Sequence, residues 1–175
     1  MAIEDLRTIL PPPADPIEAG PADWDEVEGE LGTPLPSDYK AYIETYGSGH
    51  VADFLWVFNP FALRDNIKLQ VQVQRQLGVL AELITNSGWK LPYPLFPGPG
   101  GLLPLGMTDN GDVIHWRTAG EADDWTIVVN DTRSPDSVEH VAGLTAFLTE
   151  ILRRNERCAM FPASFPPAEI RFKPL

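Results

Sequence analysis

The chain holds few residues whose chemistry could support catalysis or metal binding. Its three histidines, His50, His115 and His140, lie far apart, and none has a second ligand three to five residues away on a helix. Cys158 is the only cysteine, and although Arg157 beside it could lower its pKa, no histidine or glycine-rich oxyanion loop lies nearby in the sequence. We expect structural roles for the histidines and an inert, half-buried thiol.

Two acidic motifs could also suggest a metal site or a catalytic site. Asp109-Asn110-Gly111-Asp112 resembles a calcium loop but lacks the further alternating oxygen ligands and the glutamate at the twelfth position, whereas Asn-Gly between apolar runs is typical of a hairpin turn. Asp123 and Asp124 are adjacent, as in many surface turns, which gives no glycosidase geometry. We therefore predict no catalytic residue, no cofactor site and no metal site.

Charge is the most informative global property of the chain. The net charge is −12, with 11 acids and 2 bases in residues 1–50 and 9 acids and 2 bases in residues 101–150. Such an excess repels nucleic-acid phosphates and attracts basic proteins. We expect no nucleic-acid or membrane partner and, if the two blocks share a face, a cationic protein partner. Solvated charge that only aids solubility is the alternative.

Aromatic residues near acids are the candidate contacts for such a partner, because aromatic anchors dominate binding energies. Trp56 follows Asp53 in a run of strand-forming residues, Trp116 follows the Asn-Gly turn, and the remaining acids lie in turns. The predicted partner-binding residues are Asp53, Trp56, Asp109, Asp112, Trp116, Glu121, Asp123 and Asp124.

Two short helices between Asp23 and Gly49 must organise the fold. Trp24, Val27 and Leu31 recur at i, i+3 and i+7, and Gly32 supplies a left-handed stop. Pro36 suits a first helical turn, and an aromatic stripe follows before Gly47. The residues that define this helical pair are Trp24, Glu28, Gly32, Leu35, Pro36, Tyr39, Tyr46 and Gly47.

The rest of the chain predicts a mixed fold. A strand that is covered on both faces is expected at 54–58, a long helix at 65–86, and a proline-rich loop at 90–101. A hairpin at 102–108 and 113–117, a strand at 125–130 and a helix at 143–157 follow, and residues 170–172 could pair on a sheet edge.

This order of landmarks resembles the SUKH superfamily, the domain also found in yeast Smi/Knr-type regulators of cell-wall synthesis. The helical pair carries the opening signature, and Asn59-Pro60, Gly100-Gly101-Leu102, Trp125 and Phe147-Leu148 are similar to later landmarks. The resemblance covers about Asp23 to Leu152. It implies a single α+β domain with a small, mostly antiparallel sheet packed against helices.

The resemblance also implies a function, which is protein binding without catalysis. In bacteria it points to an immunity protein that neutralises a cognate polymorphic toxin, here a cationic domain such as a basic nuclease. A regulatory scaffold of Smi/Knr type, which would bind through the proline-rich arm or the glutamine-rich helix, and an uncharacterised hydrolase are the alternatives. We expect a cytoplasmic monomer or weak dimer. It should have an N-terminal helix and proline-rich arm at 1–20, a SUKH-like domain at 21–158 and a C-terminal extension at 159–175 that packs on the domain.

Overall fold

The helical pair begins and ends at residues whose types explain its boundaries. The computed structural model describes residues 2–20 and 23–175, so the predicted domain start at residue 21 lies outside it. The Asp23 carboxylate accepts a hydrogen bond from the Glu26 N–H at the start of α2 (Trp24–Leu31). Gly32, with φ 74°, ends α2, and Gly47, with φ 65°, ends α3 (Ser37–Tyr46). The predicted helical pair is present.

One antiparallel sheet of seven strands forms the centre of the described residues, in the order β6-β5-β4-β3-β2-β1-β7. Its strands are β1 (Gly49–Val51), β2 (Leu55–Val57), β3 (Leu102–Thr108), β4 (Val113–Arg117), β5 (Thr126–Asn130), β6 (Ser137–His140) and β7 (Phe172–Pro174). The α+β fold class and the central hairpin are therefore confirmed. The sequence reading missed β1 and β6, which contain three and four residues, too few to show a clear alternation.

The main core lies on the sheet face that α1 (Ala2–Ile9), α3 and α5 (Leu144–Leu152) cover. Trp116 of β4 is fully buried there and meets the Tyr39 ring edge to face, at 4.9 Å between centroids. Tyr46 belongs to the same core, and Trp24 packs against its edge. Trp24 and Tyr46, which come from the two predicted helices, therefore pack in one core.

The long helix α4 (Leu69–Ser87) contacts β3 and lies against the opposite face of the sheet. Paired strand residues point to the same face, so Val113 of β4 and Asn130 of β5 face the same way. Both line a pocket together with Leu80 and Leu83 of α4. The proline-rich segment follows this helix, and its Tyr93 stacks under Arg117, 4.3 Å from the guanidinium carbon to the ring centre.

The N-terminal segment contributes directly to the core. Leu6 and Leu10 have no exposed surface, and α1 packs against α5 and α3. The Tyr46 hydroxyl donates a hydrogen bond of 2.7 Å to the Leu10 carbonyl. Residues 2–10 are therefore held by buried contacts and not by the proline-rich stretch alone.

The C-terminal segment returns to the sheet as β7, which pairs with β1. The helix α5 ends at Leu152, five residues before the predicted end, because Arg154 adopts a left-handed conformation with φ 63°. Its guanidinium donates to the Pro166 and Pro167 carbonyls, each at 3.0 Å. None of the described helices has the length and apolar character that crossing a membrane requires.

Candidate protein-binding surfaces

Glu28 joins the two helices of the pair. One of its carboxylate oxygens accepts hydrogen bonds from the Leu35 N–H at 2.8 Å and from the Lys40 ammonium at 2.5 Å. Partial burial raises the pKa of Glu28, but the Lys40 and Leu35 hydrogen bonds outweigh it, so the pKa lies below its ordinary value. The ionised Glu28 carboxylate thereby holds the turn between α2 and α3 in place.

The second acidic block reaches this helical pair through the 3-10 helix Ala122–Asp124. The Ser37 N–H, at the start of α3, donates a hydrogen bond of 2.6 Å to Asp123 Oδ1. That bond lowers the pKa of Asp123, and the positive end of the α3 dipole favours the same carboxylate. Ser37 and Asp123 are 86 positions apart in the sequence, so this bond brings two distant acidic segments together on one surface.

We define the acidic hairpin surface as the exposed carboxylates of α2, α3 and the 3-10 helix. Residues 23–46 and 121–124 hold ten acids and one base, Lys40, which Glu28 already binds. Carboxylates gathered in this way attract cationic partners over long distances. The exposed members are Asp25, Glu26, Glu30, Glu44, Glu121, Asp123 and Asp124.

Trp24 forms the apolar centre of this surface. Its indole N–H donates a hydrogen bond of 3.2 Å to Glu44, and its ring packs edge to face on Phe61, at 5.0 Å between centroids. The Lys40 ammonium lies 5.7 Å from the ring centre, within the range of a cation–π contact. A half-buried indole among carboxylates has the composition of an anchor for a basic partner.

A second cluster is formed by β1, β2 and the turns that follow β1 and β3, and we call it the Trp56 patch. It comprises Trp56, His50, Asp109 and Asp53. The His50 and Trp56 rings stack at 4.1 Å between centroids, and Asp109 Oδ1 lies 2.8 Å from the donating Trp56 N–H and 3.2 Å from His50 Nε2. The Asp109 side chain is 47% exposed, so its carboxylate is available to solvent and to a partner.

Asp53 borders the Trp56 patch from the turn between β1 and β2. Ala52 and Asp53 both have positive φ, of 50° and 52°, as the two central residues of a type I′ turn require, and the Phe54 N–H closes this turn with a hydrogen bond of 3.0 Å to the Val51 carbonyl. Lys173 of β7 donates a hydrogen bond of 2.7 Å to the Asp53 carboxylate and lowers its pKa. This carboxylate is therefore shared with a cation of the same chain.

Two of the predicted contact residues are unavailable, which corrects the sequence reading. Trp116 has no exposed surface because its strand faces the main core. Asp112 is 4% exposed, and its two carboxylate oxygens accept hydrogen bonds from the Thr108 hydroxyl at 3.1 Å and the Thr132 N–H at 3.2 Å. Asp112 therefore closes turns and does not face a partner.

The six remaining predicted residues divide between two places. Glu121, Asp123 and Asp124 belong to the segment that bonds to the start of α3, whereas Trp56 and Asp109 are joined by a hydrogen bond and Asp53 lies in the turn before β2. His50 was missed, because only the β1–β2 register places it beside Trp56.

Comparison with known proteins supplies the family. The SUKH_6 family, described as SMI1-KNR4 cell-wall, matches residues 21–148, which is most of the chain. The chain belongs to the SUKH superfamily. No curated protein and no solved structure matches it.

SUKH domains of this family are generally non-catalytic and suggest a role in protein binding. In this SUKH domain, burial raises the pKa of Cys158 to about 11, so the thiol is protonated at neutral pH. Over the described ranges 2–20 and 23–175, no three histidine, cysteine, aspartate or glutamate side chains converge as a metal site.

Proposed function

We propose that this SUKH domain is a non-catalytic immunity protein that binds a cationic toxin domain through the acidic hairpin surface. The hydrogen bond from the Ser37 N–H to Asp123 carries this proposal, since it brings a carboxylate of the second acidic block to the start of α3, which belongs to the first block. Family membership supports a protein-binding role. The toxin class follows from charge, because a strongly anionic surface selects a basic partner.

In such a complex, charge mainly affects the rate and selectivity of association, whereas apolar contacts mainly affect affinity. The exposed carboxylates accelerate encounter and reject acidic competitors, whereas a few buried anchors supply most of the affinity. Trp24 is the anchor that the acidic hairpin surface offers, since it is half-buried and held by Glu44. We expect the association rate constant to fall steeply as salt concentration rises.

The Trp56 patch is the second candidate contact. It offers a stacked indole and imidazole beside an exposed carboxylate, an arrangement that fits a lysine or arginine side chain. Asp109 would bind the cation, and Trp56 would supply apolar area. Because this cluster has no residue in common with the acidic hairpin surface, substitutions there test it separately.

Removal of residues 1–20 does not test the regulatory-scaffold alternative. Such a deletion takes away Leu6 and Leu10 from the core, so loss of binding would report unfolding. Among the α4 glutamines, Gln74 is exposed, whereas Gln70 and Gln76 are partly buried and Gln72 is buried. Gln74→Ala therefore tests a scaffold contact on α4 without touching the core. A hydrolase would require titratable groups that converge in one pocket.

Charge reversal on the acidic hairpin surface tests the immunity proposal. The chain is co-expressed with the toxic domain encoded beside its gene, and cell growth and the purified complex are measured. Glu121→Lys with Asp124→Lys removes two exposed carboxylates without touching the α3 contact of Asp123. We expect loss of protection and an association rate constant reduced on the order of tenfold or more.

Asp15→Lys with Glu169→Lys is the matched control, because it makes the same change in net charge at exposed positions outside this surface. We expect it to protect nearly as well as the parent chain. Equal effects of the two variants would reduce the proposal to a general charge effect. Failure of the parent chain to protect cells would refute the immunity role itself. Trp56→Ala with Asp109→Asn shows whether the second cluster also contributes.

A further inference from the structure

The C-terminal segment carries positive charge in an otherwise acidic chain. Residues 151–175 hold 5 bases and 2 acids, whereas the whole chain has a net charge of −12. Three of these bases form ion pairs with carboxylates, namely Arg153, Arg171 and Lys173. Within residues 2–20 and 23–175, Arg154 and Arg157 have no carboxylate at ion-pair distance. The uncompensated charge of this segment therefore belongs to two neighbouring arginines.

Arg154 is held in place by groups that carry no charge. Its backbone adopts a left-handed conformation with φ 63° after the end of α5, and its Nη2 atom donates hydrogen bonds of 3.0 Å to the Pro166 and Pro167 carbonyls. A guanidinium has five N–H donors, and those at Nε and Nη1 have no partner among the described residues. Because Arg154 is exposed, these donors and the full positive charge are available to a ligand.

Both arginines line a cavity of about 410 Å³, which lies between the end of α5 and the segment that follows it. This volume is typical of sites for small molecules. Ser164 also lines the cavity and is exposed, as Arg157 is, so its hydroxyl is reachable from solvent. The half-buried Phe165 and the exposed Pro162 supply an apolar wall that a ligand can reach. We call this cavity the Arg154 pocket.

The charge of the Arg154 pocket selects the kind of ligand. Glu156 is the one acid among its lining residues, and its Oε2 atom lies 3.2 Å from Nδ1 of His140, which is outside the pocket. Two arginines therefore outnumber one carboxylate that already has a neighbour. A cation would be repelled, and a neutral apolar molecule would leave both guanidinium groups without a counter-ion.

We propose that the Arg154 pocket binds a small organic carboxylate with an apolar body. Its carboxylate accepts charge-assisted hydrogen bonds from Arg154 and Arg157, since the planar guanidinium fork matches a carboxylate. Its apolar body lies against Phe165 and Pro162. The site has no residue in common with the acidic hairpin surface or the Trp56 patch, so its test does not depend on a toxin partner.

Benzoate is the probe, because it joins one carboxylate to one aromatic ring. Its titration into the full chain at pH 7 and constant ionic strength is followed by ¹H–¹⁵N NMR. We expect saturable shifts of the Ala163 and Ser164 backbone amides, with a dissociation constant on the order of millimolar. Benzamide keeps the ring without the charge, and acetate keeps the charge without the ring. We expect each to bind about tenfold more weakly than benzoate.

Two substitutions, each with a matched control, make the assignment specific. Arg157→Gln removes one cation and should weaken benzoate binding about tenfold. Arg75→Gln makes the same charge change at an exposed position of α4 outside the pocket and should leave binding nearly unchanged. Ala163→Glu places a carboxylate in the pocket and should abolish the saturable shifts, whereas Ala168→Glu, at an exposed residue that does not line it, should not.

All four substituted positions are exposed, so the thermal midpoints of the variants should stay close to that of the parent chain, and changes in binding then report the pocket itself. Equal binding of acetate and benzoate would reduce the pocket to a simple anion site and overturn the proposal. Equal binding of benzamide would remove the role of charge, with the same consequence. Unchanged benzoate binding in Arg157→Gln, or a parent chain without saturable shifts, would also overturn it.

Discussion

Asp38 caps the helix α5 through Thr145, a residue 107 positions later in the chain. Its Oδ2 atom accepts hydrogen bonds from the Thr145 N–H at 2.9 Å and from the Thr145 hydroxyl at 3.0 Å, at the start of α5. Gly143, the N-cap residue of α5, supplies no side-chain cap, and a Cβ atom there would lie 2.8 Å from the same oxygen. Asp38 therefore replaces the local cap and ties α3 to α5.

Loss of this long-range cap should destabilise the fold. We expect Asp38→Ala to lower the free energy of unfolding by about 1–3 kcal/mol, since a charged acceptor and a cap are both removed. Urea unfolding at pH 7 measures it. Asp25→Ala removes an exposed carboxylate of α2 and is expected to change stability by less than about 0.5 kcal/mol. Equal effects would contradict the capping role.

Two buried tyrosines offer a matched pair. The Tyr46 hydroxyl donates to the Leu10 carbonyl, whereas the buried Tyr42 hydroxyl has no partner among the described residues. Tyr46→Phe should cost about 1–2 kcal/mol, because it leaves a carbonyl unpaired, while Tyr42→Phe should be neutral or slightly stabilising. Thermal unfolding of both variants gives the comparison. A larger loss in Tyr42→Phe would contradict the assignment.

Stability should depend on pH through His115. Complete burial lowers the pKa of His115 from 6.5 to about 3 in the folded chain. Between those pH values the unfolded chain binds one more proton, so the free energy of unfolding falls as pH drops below 6.5, by up to about 1.4 kcal/mol per pH unit. Above pH 6.5 this contribution is fully present.

His115→Met tests the origin of that dependence, because it keeps an apolar group of similar size and cannot titrate. Urea midpoints measured from pH 7 to pH 5 should fall less steeply in the variant than in the parent chain. Several carboxylates with lowered pKa values, including Glu28 and Asp123, add acid sensitivity only at lower pH. Identical slopes from pH 7 to pH 5 would assign the effect to other groups.

The N-terminal helix should be required for stability. Leu6 is fully buried, so Leu6→Ala is expected to lower the free energy of unfolding by about 2–5 kcal/mol through lost burial and a new cavity. Val141→Ala, at a residue that is 87% exposed, should change it by less than about 0.5 kcal/mol. Guanidinium unfolding gives both values. A small effect at Leu6 would indicate a loosely docked arm.

Cys158 should react slowly with thiol reagents in the folded state. Its pKa is raised to about 11 by burial, so the thiolate fraction at pH 8 is small. We expect labelling by a disulfide reagent at pH 8 to be on the order of 100-fold slower in the native chain than in denaturant. Rapid labelling of the native chain would show that the thiol is accessible and ionised.

Local signals explain which elements the sequence could predict. The helical pair depends on Asp23, Gly32 and Gly47, whose effects extend over one turn. The β3–β4 hairpin likewise follows from Asn110-Gly111. The end of α5 was predicted too late, because the turn at Arg154 depends on contacts with distant proline carbonyls.

The sequence by itself determined the family, the α+β class, the helical pair and the excess of negative charge. Charge follows from composition alone, and helix caps and hydrophobic spacing depend on residues that are close together in the chain. Only the tertiary structure decided that Asp123 bonds to the start of α3 while Asp109 bonds to Trp56, that Trp116 is buried, and that the Asn130 side chain has no hydrogen-bond partner among the described residues. The physical reason is that strand register and helix docking, which bring distant residues together, depend on contacts between residues far apart in the chain.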